Sequence, residues 1–101
     1  MVAKQIIGAD VCIVGGGIIG LLTARECLTA GASVLVVEAG ECGKESSWAG
    51  GGIVSPLYPW RYEKSVTALA TWAQSTYPKL CSELDDATGI LCEWHKSGLL
   101  L

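Results

Sequence analysis

The chain has 101 residues, half of them apolar, and a formal net charge of −3. That length holds one small domain at most. Seven scattered Lys and Arg residues form no basic run, which argues against a nucleic-acid surface. The five cysteines at 12, 27, 42, 81 and 92 are odd in number and make no C-x-x-C pair, so neither a disulfide framework nor a zinc site is expected. A reducing, cytoplasmic setting suits them, most serving as small buried apolar residues.

The chain stops on the apolar "GLLL", whereas termini are usually polar and frayed. It therefore reads as the N-terminal piece of a larger protein, cut inside a strand, rather than a complete small protein. Ile6 to Ala24 is long enough for a leader or membrane span. Its five glycines, and the patterned helix and strand that follow, argue for a soluble fold instead.

"ADVCIV", Ala9 to Val14, is apolar on both faces after Asp10, as a strand of a buried parallel sheet requires. Gly15, Gly17 and Gly20 then fall in G-x-G-x-x-G spacing. A helix is expected from Ile18, with Gly20, Ala24, Cys27 or Leu28, and Gly31 on one small-residue face, and Gly31 as its stop. "ASVLVVE" is a second strand ending on Glu38, eighteen residues beyond Gly20. Strand, glycine turn, helix, strand and acid together predict a dinucleotide site. Gly15 allows the turn, Gly17 lets backbone approach a pyrophosphate, and Gly20 lets helix and strand pack closely. The helix N-terminus offers N–H groups to phosphate, and Glu38 offers a carboxylate to a ribose with a free 2′-hydroxyl. NAD and the ADP half of FAD both remain open at this point.

The next stretch, "AGECGKESSWAGGGIVSPLYP", is rich in Gly and Ser with prolines at 56 and 59, and no regular helix is expected in it. It leaves the carboxyl edge of the sheet, where ligands lie in open α/β folds. Ser46 and Ser47 suit phosphate or a ribityl chain. Ala49 to Gly52 have almost no side chains, so a flat ring can lie on their backbone.

"DVCIVGGGIIGLLTARECLTAGASVLVVE" followed by "SSWAGGGIVSPLYPWRY" resembles the N-terminus of the flavin-dependent glycine oxidases, in the D-amino-acid oxidase group. The likeness covers nearly the whole chain, including the "TGI…W…SGLL" ending, and its second motif is the narrower of the two. It implies a truncated N-terminal βαβ portion of an α/β, Rossmann-like FAD-binding domain of glutathione-reductase type. FAD is the implied cofactor, its pyrophosphate and ribose held by Gly15, Gly17, Gly20 and Glu38. Ser46, Ser47, Ala49, Gly51 and Gly52 would lie along the ribityl chain and ring. The implied reaction oxidises glycine or another small amine by hydride transfer from Cα to the flavin. Imine hydrolysis and peroxide formation from O2 follow, in the service of thiamine biosynthesis. The implied substrate-binding arginine lies beyond Leu101, so no catalytic residue is named. The 101 residues alone are expected to be inactive, to hold FAD weakly, and to self-associate through uncovered strand. A D-amino-acid dehydrogenase, a tRNA-modifying oxidase domain and a non-catalytic nucleotide-binding fragment are the alternatives. Flavin disulfide reductases are excluded, because Cys42 has Ser47, not cysteine, five positions on.

The remainder divides into a helical segment, 61–89, and a strand start, 90–101, after an FAD-binding portion, 1–60. Val66, Leu69, Ala73, Tyr77, Leu80 and Leu84 form one apolar stripe, which Pro78 should kink or split near Thr76. Asp85 and Asp86 read as a solvated end and Gly89 as a stop. His95 reads as structural or exposed, and Arg61 as packed against Tyr58 and Trp60.

Overall fold

A computed structural model describes residues 3–55 and 58–98. The chain forms two compact units, Met1–Gly52 and Ile53–Leu101.

In the first unit, strand β1 (Val11–Val14) is followed by helix α1 (Ile18–Thr29) and strand β2 (Val34–Val37). The strands pair in parallel, Val11 opposite Val34 and Val14 opposite Val37. A parallel pair needs a crossover, and α1 supplies it. The entry to the unit is clipped by Asp10, whose carboxylate accepts the Ser33 N–H at 2.8 Å and hydroxyl at 3.0 Å. The Ser33 hydroxyl in turn accepts the Asp10 N–H at 2.9 Å.

α1 starts at Ile18, as its glycine turn predicts. It ends in a Schellman motif: Ala32 N–H donates to the Cys27 carbonyl and Gly31 N–H to Leu28, both at 3.0 Å. Gly31 takes φ +88° there, which its missing Cβ permits. Ala24, in the middle of the small-residue face, is the one buried apolar residue among those described. Gly20 sets the helix–strand distance. A Cβ on it would overlap the Gly15 carbonyl and come within 3.3 Å of Ile13 Cγ2.

The strands are apolar on both faces; β2 is half-buried on both from Val34 to Val36, whereas β1 is covered on one face only. Val11 and Ile13 are half-buried, while Cys12 and Val14 are exposed. A single crossover helix can lie on one side of a sheet only. The burial on both faces expected from the pattern is therefore half met within this chain.

The second unit opens with a 3-10 turn (Pro59–Arg61) and is dominated by helix α3 (Lys64–Thr88). The Arg61 guanidinium lies 4.8 Å from the Tyr58 ring centre, and Tyr58 meets Trp60 edge-on at 5.7 Å, so Arg61 packs as expected. Gly89 ends α3 at φ +70°, its N–H donating to the Asp85 carbonyl at 2.9 Å. The expected split near Thr76 does not occur: α3 runs unbroken through Pro78. The Ser75 and Thr76 hydroxyls donate to the Trp72 and Ala73 carbonyls in the turn before it. Proline removes one helical donor, and a helix of 25 residues continues on the bonds either side.

Along the α3 stripe Ala73, Tyr77, Leu80 and Leu84 are half-buried, whereas Val66 and Leu69 are exposed. An open groove of about 320 Å³ runs past Val66, Ala70, Ala73 and Tyr77, with Ile53 and Tyr62 on its other wall. Residues 90–98 contain no strand, in contrast to the strand start expected from 90. Leu99 to Leu101 lie outside the described residues, as does Pro56. His95 is exposed, as expected. No helix among the described residues is long and apolar enough to cross a membrane.

Candidate functional site

The two glycine runs meet beyond the carboxyl ends of β1 and β2. Gly15 leaves β1 at φ +111°, a conformation that side chains disfavour, while its N–H still donates to the Val37 carbonyl at 2.7 Å. The chain can thus reverse into α1 without losing its last ladder bond. Gly17 is the N-cap residue and has no side chain to cap with.

The cap comes from the second run. Ser47 Oγ accepts the Ile18 N–H at 2.8 Å, across 29 residues of chain. Gly17 leaves room for this, since a Cβ there would stand a tight 3.0 Å from Ser47 Oγ. The next two N–H groups, of Ile19 and Gly20, have no partner among the described residues. The first turn of α1 contains no acidic residue. Free N–H groups at the positive end of a helix, with no competing carboxylate in that turn, fit a phosphate.

Glu38 stands at the end of β2, as its spacing predicts, and its carboxylate faces the same turn. It accepts Gly16 N–H at 3.0 Å and Gly40 N–H at 2.8 Å. These bonds, Gly40 first and Gly16 second, hold its carboxyl below the ordinary value of 4.5. Asp10 is held below its ordinary 3.8 by the backbone and then the hydroxyl of Ser33. Both ties are complete above those ordinary values and are lost as pH falls through the lowered ones. The full-length protein should therefore lose thermal stability on acidification below about pH 4.5. The Glu38→Gln, Asp10→Asn double variant should lose less across that window. Parallel acid slopes in the two melting series would contradict this.

Gly16 was not singled out by its spacing, yet it is the fixed point of the turn. It is buried. A Cβ on it would stand 2.6 Å from Cys42 Sγ and 3.2 Å from Glu38 Cβ and Cγ. Its carbonyl accepts Gly43 N–H at 2.8 Å, and its N–H donates to Glu38. The run of three consecutive glycines in "VGGGIIG", with Gly16 in its middle, was the available signal. Cys42 and Gly43, which no spacing rule marks, seal the turn.

Ser46, Ser47, Trp48 and Ala49 form a single helical turn, α2 (Ser46–Ala49), where no regular helix was expected. Lys44 Nζ lies 3.8 Å above the Trp48 ring. Gly51 and Gly52 follow in open backbone, Gly52 at φ +72°. Of the residues marked in the sequence, Gly15, Gly17, Gly20, Glu38 and Ser47 are thus brought together around one turn. Ser46 and Ala49 flank Ser47 on α2, and Gly51 and Gly52 extend from it. Among the described residues no cluster of His, Cys, Asp or Glu suits a metal ion.

Residues 10–101 match the family described as FAD dependent oxidoreductase (DAO). Over 89 residues the chain is 62% identical to glycine oxidase of Pseudomonas aeruginosa, covering 88% of this chain and 24% of that protein. It is 57% identical over 90 residues to glycine oxidase of Pseudomonas putida, covering 89% and 25%. It is 30% identical over 91 residues to the bifunctional protein ThiO/ThiG of Trichormus variabilis, covering 90% and 14%. The chain thus spans about a quarter of the length of the glycine oxidases it matches. No solved structure matches it. With nearly all of its residues inside the match, the chain belongs to the DAO family of FAD-dependent oxidoreductases.

Proposed function

We propose that the chain is the FAD-holding part of an oxidase acting on glycine or another small amino acid or secondary amine. One observation carries this reading. The glycine turn and the loop that leads into Gly50–Gly52 are pinned together at one helix N-terminus by Ser47 and Gly43, 29 residues apart at the Ser47 tie. One run serves each end of an extended cofactor. The glycine oxidase relatives supply the chemistry.

In this reading the pyrophosphate sits on Gly15, Gly17, Gly20 and the free N–H groups of Ile19 and Gly20. Ser47 accepts Ile18 N–H, which leaves its own O–H to donate to a phosphate oxygen. Each Glu38 oxygen already holds one N–H and keeps a further lone pair for a ribose hydroxyl. Ser46, Ala49, Gly51 and Gly52 border the ribityl chain and the ring. FAD, when bound, supplies two-electron oxidation of the amine. What these residues contribute is binding and alignment. Residues 1–60 form the FAD portion, 61–89 the helical segment and 90–101 the approach to a substrate domain. Substrate and O2 contacts belong to the rest of the protein.

Two measurements test this. The full-length protein, assayed with glycine, sarcosine and D-alanine, should release peroxide with at least one of them, and no peroxide from any would refute the oxidase reading. Glu38→Ala should weaken FAD binding to the apoprotein by roughly ten- to a hundredfold, as expected for lost charge-assisted hydrogen bonds. Equal affinities would remove Glu38 from the site.

A further inference from the structure

Two of the five cysteines, Cys81 and Cys92, lie near the end of α3. Tyr77, Cys81 and Asp85 are spaced by fours and so share one face of the helix. The chain beyond Gly89 folds back along that face. Asp85 Oδ1 accepts the Cys92 N–H at 2.7 Å. Trp94 stacks on Tyr77 at 5.8 Å, with the rings 13° from parallel. Between these two anchors Glu93 adopts φ +55°, a left-handed conformation unusual for glutamate. The Asp85 anchor sets Cys92 about one helical turn from Cys81 on that face, near enough for the Cys81 thiol to bear on the Cys92 thiol. Both are free; Cys81 is half-buried and Cys92 exposed.

We propose that Cys81 and Cys92 are a peroxide-responsive thiol pair that closes to a disulfide between α3 and the segment that follows it. The oxidant is a hydroperoxide. One thiolate sulfur attacks a peroxide oxygen: an S–O bond forms, the O–O bond breaks, and the leaving oxygen departs as water after protonation. The second thiol loses its proton and attacks the sulfenic sulfur. The S–S bond forms, the S–O bond breaks, and a second water leaves. Two thiols and one H2O2 thus give one disulfide and two waters, the thiols oxidised by two electrons and the peroxide reduced by two.

The order follows from the surroundings. The Cys92 thiol is pushed up to about 11, first by its hydrogen bond to Asp85, then by lost solvation, the Asp85 charge and Cys81. A thiol held protonated is a poor first nucleophile, so Cys81 takes the oxygen and Cys92 resolves it. Peroxide is also the product of the reaction proposed above, and in that one respect the inference rests on that reading.

The test treats reduced full-length protein with H2O2 in the absence of amine, blocks remaining thiols, and maps disulfide-linked peptides by mass spectrometry. The expected result is a Cys81–Cys92 linked peptide in wild type and in Cys42→Ser. Cys92→Ser should instead trap Cys81 as a sulfenic acid that a dimedone probe labels. Both thiols staying alkylatable, or either pairing with another cysteine, would overturn the proposal. A second arm replaces added peroxide with glycine and O2. A bond formed by added peroxide but not by glycine leaves the thiol pair standing and counts against the oxidase reading. Peroxide released from glycine with no bond in either arm counts against the thiol pair alone.

Discussion

Gly51→Val should cost the full-length protein most of its flavin, by roughly ten- to a hundredfold in FAD affinity, while leaving its melting temperature without FAD nearly unchanged. Gly51 is the informative position because nothing of the protein lies within 4 Å of where its Cβ would be. A Cβ there meets no atom of the described residues, so an effect on FAD with the melting temperature unchanged points to the cofactor's own contact with the backbone. Overpacking against a rigid ring costs about 1–3 kcal/mol, which sets the size of the effect. Gly52 would be a poorer test, since φ +72° strains any side chain placed there. Ser55→Ala serves as the control and should change affinity little. Full flavin content in the valine variant would show that the second run is not where the ring lies.

Gly20→Ala should damage both the fold and the site. Its methyl would overlap the Gly15 carbonyl, a backbone atom that cannot rotate away. Relief requires α1 to lift from β1, which uncovers Ala24, or Gly15 to shift, which breaks its bond to Val37. Distortion of this kind costs about 1–3 kcal/mol. Because the same glycine turn carries the free N–H groups, FAD affinity should fall with stability. Thermal melts and FAD titration of the same preparation check this. A variant that melts with the wild type would mean that the close approach is not needed.

The features legible in the sequence are those set by local chemistry. Helix α1 starts at Ile18 because the glycine turn precedes it, and Gly31 and Gly89 stop helices because they accept positive φ. Glu38 falls at the end of β2 because the strand's apolar run ends there. What the pattern could not reveal depends on contacts between distant residues. The cap on α1 comes from Ser47, which the sequence marks for the cofactor and not for the helix, and its loop gains a helical turn. Gly16 matters through Cys42, 26 positions away, which no spacing rule connects to it. Asp85 read as a solvated helix end, yet it is the anchor for Cys92, because the chain doubles back after Gly89. Pro78 suggested a kink or a split, and the single α3 shows that a missing donor costs less than a helix break at that point.

The central claim is that this chain holds FAD within an enzyme that oxidises glycine or a similar small amine. The most direct measurement is the visible absorption of the purified full-length protein during anaerobic addition of glycine and, separately, sarcosine. The purified protein should show an oxidised flavin spectrum that at least one of these amines bleaches and that returns when air is admitted. A protein that takes up no flavin, or a bound flavin that neither amine reduces, would contradict it.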